Sequence, residues 1–192
     1  MKKQQNSARP ALGRVFLSRM AEVKLPGLKA HIVFWSITAA GIALDLWSKS
    51  AVFGWLQQQP HYRFSIIDGF LHFERALNPG AAFGIASGQR CFLVTISVIA
   101  LIAGFVIFLS SGNERKLFYV GLGFFAAGIC GNLYDRIFND GFVRDFIDVV
   151  YWPGRHWPAF NVGDSMLCVG VGLMIICFLT GKSSRKRAQQ HK

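Results

Sequence analysis

The sequence contains no H-E-x-x-H, no G-x-S-x-G and no C-x-x-C, so the zinc-peptidase helix, the serine nucleophile elbow and the common thiol or zinc-ribbon chemistries are excluded. Cysteine is scarce. Cys91, Cys130, Cys168 and Cys177 lie within or at the edge of apolar stretches with no histidine pair nearby; no disulfide framework or metal site is expected, and they read as small buried apolar residues. Charge is scarce too, at 16% of residues against 52% hydrophobic, which is displaced from the average soluble domain toward a membrane protein. No internal repeat or low-complexity block interrupts the chain. Residues 91–110 hold no charged residue at all.

At about 1.5 Å of rise per residue, that stretch crosses a hydrocarbon core of roughly 30 Å. Similar spans are expected at about 32–51, 117–136 and 164–181, giving four spans and both termini on one side. The net charge of +11 does not indicate a nucleic-acid partner, because the basic residues flank the spans. Fourteen of the 21 lie in residues 1–29, at Arg115 and Lys116, or in the tail from Lys182 onward. The positive-inside rule makes that side cytoplasmic. The loops at about 52–90 and 137–163 then face outward. The expected organisation is a basic arm over 1–29 lying near anionic lipid, a four-span unit over 30–182 and a basic tail over 183–192. A basic arm before an apolar run also fits a cleavable leader. An uncleaved anchor is preferred, because cutting at TAAGIA would destroy a span.

The outer loops carry the remaining signals. RFSII and FLHFERAL flank Asp68-Gly69, the pattern of a small hairpin on the membrane surface. The second outer loop opens with Asn139-Asp140-Gly141 and holds Tyr151, Trp152 and Trp157, aromatics expected at headgroup depth and equally explained as an ordinary interfacial belt. It is read as a loop lying along the interface.

Ionisable residues within spans are costly and are functional candidates by default. Asp45 and Lys49 sit late in the first span, Asn132, Asp135 and Arg136 at the end of the third, and Asp164 at the start of the fourth; alternating helix directions bring all of them to the outer boundary. Each also has a plain reading. Asp45 and Lys49 make a structural i, i+4 pair, Arg136 snorkels to headgroups, Asp164 caps the fourth helix, and Asp145 is a solvated loop acid. Together, however, Asp145 and Asp164 lie close enough in sequence for loop and helix start to bring two carboxylates face to face. Such a pair tends to share one proton, and a shared proton suits peptide hydrolysis by general acid and base.

The chain resembles the bacterial lipoprotein signal peptidases, or signal peptidase II, through five ordered motifs: Asp45-Leu46-Trp47-Ser48-Lys49, Asn78 to Gly84 (NPGAAFG), Gly131 to Arg136 (GNLYDR), Val143 to Asp148 (VRDFID) and Phe160 to Ser165 (FNVGDS). The resemblance covers about residues 40–170. It implies an all-α integral membrane protein with four transmembrane helices, a small extracytoplasmic β-hairpin or sheet and an interfacial loop. It further implies an aspartic endopeptidase of the bacterial cytoplasmic (inner) membrane, its site on the extracytoplasmic face and both termini cytoplasmic. Such enzymes cut prolipoproteins just before a diacylglyceryl-modified cysteine and are inhibited by globomycin. Asp145 and Asp164 would be the catalytic pair, with Asp45, Lys49, Asn78, Gly80, Asn132, Arg136 and Asn161 binding substrate or supporting the site; Asn78 and Arg136 would contact the substrate backbone. No metal or cofactor is implied, the partners are prolipoproteins and membrane lipids, and a monomer is expected. Gly163 departs from the usual alanine before the aspartate, which would loosen the start of the fourth helix.

Two other classes fit the sequence less well. A proton-coupled transporter would distribute its carboxylates across the membrane, and here the second span has none. A non-catalytic envelope assembly factor would tolerate Asp→Asn changes in the outer loop.

Overall fold

The computed structural model describes residues 25–81, 84–112 and 114–190; most of the expected basic arm lies outside them. Four long helices dominate: α1 (Leu28–Leu56), α2 (Arg90–Ser110), α3 (Lys116–Phe138) and α4 (Val162–Gln190). Each contains a stretch long and apolar enough to cross a membrane, which in α4 is Val162–Thr180. The spans read from the sequence fall on these helices, with α1 continuing past residue 51 to Leu56.

The third helix is the centre of the bundle. Of its most apolar stretch 56% is buried, against 17% for α2, and it packs on α1, α2 and α4. Small residues allow the closest approach. A Cβ on Gly121 would lie 2.9 Å from the Gly170 carbonyl and one on Gly170 would lie 2.6 Å from that of Gly121. With no hydrophobic drive between helices in lipid, such backbone contact supplies the packing. At one end, Phe34 stacks on Phe108 at 4.3 Å and Phe108 meets Tyr119 edge-on. Tyr119 there donates to the Gly112 carbonyl, tying down the α2–α3 turn.

At the other end the helices carry one antiparallel sheet, ordered β1 (Arg63–Ile67), β2 (Leu71–Asn78), β3 (Val143–Trp152) and β4 (Arg155–His156). The hairpin expected around Asp68-Gly69 is β1–β2, with Gly69 at φ +73°, a conformation glycine adopts without cost. The second outer segment corrects the reading of a loop. Val143–Trp152 is a strand paired with β2, Asp145 opposite Ala76 and Asp148 opposite His72. The chain is therefore not purely α-helical. The sheet packs on the end of α1 through Trp55, which meets Phe64 and Phe73.

The cysteines also differ from expectation. All four are free, but only Cys177 is buried, while Cys91 and Cys168 are exposed on outward helix faces. Lipid would cover such faces, and an apolar sulfur there needs no protein around it.

Candidate active site

Five elements meet where the sheet joins the helix ends. From α1, Asp45 and Lys49 lie one turn apart and fully buried, with Lys49 Nζ 2.6 Å from Asp45 Oδ2. The pair does more than stabilise its own helix. Lys49 also donates to Asn132 Oδ1 at 2.8 Å and lies 3.5 Å from Asp135, and Asp45 Oδ1 accepts the Gly163 backbone N–H at 2.6 Å. A carboxylate of the first helix thus satisfies an orphan donor at the start of the last, where the helix dipole favours negative charge.

That start is not capped as expected. Asn161 is the cap, not Asp164. The Asn161 side-chain oxygen accepts the Asp164 N–H at 2.9 Å, while Asp164 Oδ2 accepts the Asn161 N–H at 3.1 Å. This is a reciprocal capping box. Its other atoms face the site. Asn161 Nδ2 donates to Asp145 Oδ1 at 2.6 Å and to Asn132 Oδ1 at 3.0 Å, and Asn132 Nδ2 donates to Asp164 Oδ1 at 2.7 Å. Asn161 therefore bonds both aspartates. Gly163 suits this arrangement, since a Cβ there would sit 3.0 Å from both Asp45 Oδ1 and Asn161 Oδ1. The expected loosening is opposed by the two bonds holding residues 163 and 164.

Asp145 comes from β3 and is 1% exposed. Its second oxygen accepts from Asn78 Nδ2 at 2.9 Å. The Asn78 oxygen in turn accepts the Gly80 N–H, an Asx turn that folds the loop after β2 over the site. Gly80 is required there, because a Cβ would lie 2.9 Å from the Ile85 carbonyl. Arg136 is buried and does not snorkel; it donates from Nη2 to the Gly80 carbonyl at 3.0 Å, and its Nε has no partner among the described residues. Burial, then the charge of Asp164, pushes the Asp145 carboxyl up to about 7 against the opposing pull of the two asparagine amides.

All nine site residues read from the sequence fall in this cluster. Two further members complete it: Asp135, already a candidate as an acid within a span, and Arg144. Asp135, fully buried at the end of α3, takes three bonds from Arg144: its backbone N–H at 2.9 Å, Nε at 3.1 Å and Nη2 at 2.7 Å. That fork fixes β3 to α3 immediately before Asp145. The sequence gives only a weak signal, a span-end acid and a basic residue nine positions later. His72 and His156, far apart in the sequence, converge on buried Asp148, with Nδ1 atoms 3.5 and 2.8 Å from its carboxylate, and Arg63 joins them at 2.9 Å.

A division among the acids results. Asp45, Asp135 and Asp148 each have a cation within 4 Å, whereas Asp145 and Asp164 receive only amide hydrogen bonds among the described residues. Around the dyad stand four carboxylates, Asp45, Asp135, Asp145 and Asp164, and three cations, Lys49, Arg136 and Arg144.

Comparison with known proteins identifies the family. The chain is 34% identical over 147 residues to a lipoprotein signal peptidase of Geobacter metallireducens, covering 75% of this chain and 88% of that one. It is 40% identical over 125 residues to one from Bacillus pumilus, covering 64% and 79%. A solved structure described as a bacterial membrane enzyme obtained by the in meso method at 2.3 Å resolution superposes with a TM-score of 0.69 at 31% identity, covering 84% of this chain and 94% of that one. The family profile described as signal peptidase (SPase) II matches residues 37–180, and the chain accordingly belongs to the signal peptidase II family.

Proposed function

We propose that this multi-pass membrane peptidase removes signal peptides from prolipoproteins by cutting just before the diacylglyceryl-modified cysteine, with Asp145 and Asp164 as an aspartic dyad. The observation that carries the reading is that, among the described residues, these two acids alone of the site's carboxylates have no ion-pair partner, Asp145 being buried and Asp164 half-buried. A cation beside a carboxylate favours its charged form. A carboxylate held by amides next to a second carboxylate can exchange a proton.

The ionised member takes a proton from water as the water oxygen attacks the scissile carbonyl carbon, and the protonated member hydrogen-bonds to the carbonyl oxygen. The tetrahedral intermediate collapses with breakage of the C–N bond. A dyad proton passes to the leaving cysteine nitrogen, the new carboxyl keeps the water oxygen, and the dyad ends with one proton as it began. Asn161 and Asn132 orient the two carboxylates; Asp45 and Lys49 hold the helix start that carries Asp164. Arg136, with one buried nitrogen unpartnered, and Asn78 lie beside Asp145 and suit contact with the substrate backbone.

The reading puts the site at the extracytoplasmic face of the bacterial inner membrane with both termini cytoplasmic, on the basis of the flanking basic residues. The arm over 1–29 and the tail from 183 then lie at the inner surface, and the enzyme acts as a monomer on prolipoproteins within the lipid. The direct test is cleavage of a diacylglyceryl-modified prolipoprotein by purified enzyme. Asp145→Asn and Asp164→Asn should each abolish turnover with the fold retained, globomycin should inhibit, and a chelator should not. Turnover by either variant would overturn the dyad.

A further inference from the structure

One cavity lies away from the polar cluster, in the membrane-spanning part of the bundle. It has a volume of about 180 Å³ and is lined by α1, α2 and α3, with Thr38 its chief polar side chain. The Thr38 hydroxyl is already engaged with the Phe34 and Gly123 carbonyls. Apolar cavities of about 150 Å³ stay dry and take up hydrocarbon, so this one is suited to hydrocarbon and not to water.

Its position relative to the dyad gives it a role. The wall from α3 includes Leu122 and Phe125, which continue at alternating steps of three and four residues through Ile129 to Asn132 and Arg136. The wall from α1 includes Phe34 and Thr38, which continue in the same way through Gly41 to Asp45. Such spacing makes a straight stripe along a helix. Both walls therefore run from the cavity to the catalytic cluster. From Cys130 to Leu122 the cavity covers depths of about 3 to 15 Å below Asn132 at 1.5 Å per residue. Its floor is aromatic, where Phe34 stacks on Phe108 and Trp35 lies 6.1 Å from Phe105. Trp35 and Phe105 are 49% and 42% exposed, so the cavity opens sideways between α1 and α2. A chain tethered at the dyad could enter from the flank without threading.

We infer that this slot between α1, α2 and α3 binds one acyl chain of the substrate's diacylglyceryl group, with the Phe34–Phe108 floor as its stop. The inference rests on the function proposed above. A hydrocarbon chain attached one residue from the scissile bond must descend from the level of Asn132, and the slot begins within one helical turn of that level. Binding there would hold the modified cysteine in register with the dyad.

The test compares two substrates with one peptide sequence, carrying either decanoyl or acetyl chains on the glyceryl group, in the same detergent-lipid mixture. The unmodified enzyme should cleave the long-chain substrate with higher kcat/KM. Ala126→Phe and, separately, Leu101→Trp should fill the slot and lower kcat/KM for the long-chain substrate about tenfold, leave that for the short-chain substrate within about twofold, and keep the thermal unfolding midpoint. A long-chain substrate with a diazirine midway along one chain should label the peptide containing Cys130 or Leu101, and filling the slot should abolish that label. Equal losses on both substrates in the folded variants, an unaltered chain-length preference, or labelling confined to other faces would overturn the slot. Failure of the unmodified enzyme to cleave either substrate would instead overturn the proposed function, and the inference with it.

Discussion

Strand β3 carries two buried aspartates three residues apart, and their surroundings are opposite. Asp148 is gripped by Arg63 from β1, His72 from β2 and His156 from β4, so one carboxylate joins all four strands. Asp145 has asparagine amides on both oxygens and a second carboxylate close by. Burial is nearly equal, at 2% and 1% exposure, so partners and not depth separate a structural acid from one able to trade protons. The comparison also explains why acidic residues alone do not mark the site. Asp45 and Asp135 are as buried as Asp145, and both are held by cations.

The largest effect that bears on this contrast is in catalysis. Asp145→Asn should lower kcat at least about a thousandfold, while Asp148→Asn should leave kcat per folded molecule within about threefold and reduce the unfolding midpoint. Equal losses of kcat in single-turnover assays would break the distinction. Next is the anchor between α3 and β3. Arg144→Ala leaves Asp135 buried without its fork and should destabilise by about 3–5 kcal/mol, read as a fall in the midpoint of chemical unfolding in detergent.

The pH dependence sharpens the contrast further. With its carboxyl raised to about 7 from an ordinary 3.8, Asp145 contributes stability that is complete below about pH 4 and lost as pH rises through about 7. The unfolding midpoint should fall over that window, and Asp145→Asn should flatten the slope. Activity should decline above about pH 7 as the dyad loses its shared proton. Because the Asn78 amide favours the ionised form, Asn78→Ala should move that decline to higher pH, whatever it does to KM; a shift to lower pH would contradict the assigned environment. The smallest effect should follow Arg63→Ala. Its side chain is 38% exposed, and its loss should cost at most about 1 kcal/mol, seen as a slight fall in the unfolding midpoint with kcat unchanged.

The four helices were legible because span length is imposed by the bilayer and uncharged runs of that length are hard to mistake. The nine site residues were legible through motif order, supported by the physical oddity of acids within spans. Strand β3 was not. A strand with one solvated face alternates, but Val143, Asp145, Phe146 and Asp148 are all buried, so no period of two appears in VRDFID. The Asp148 cluster was hidden for a related reason, since its members come from four strands whose register no local pattern encodes. The plain reading of Asp164 as a cap, suggested by Ser165 and the apolar run after it, misses by three residues: Asn161 is the cap and Asp164 its reciprocal partner.

The bond from Asp45 to the Gly163 backbone has a consequence for biogenesis. During synthesis a chain with three completed helices already holds Lys49, Asn132 and Arg136, yet it lacks Asn161 and Asp164, and its Asp45 has no helix start to hold. Until the final segment is inserted beside the first, a buried carboxylate of the first helix therefore lacks the backbone donor that it holds in the finished bundle. The last helix thus locks onto the first through a backbone bond that can form only once both are in place.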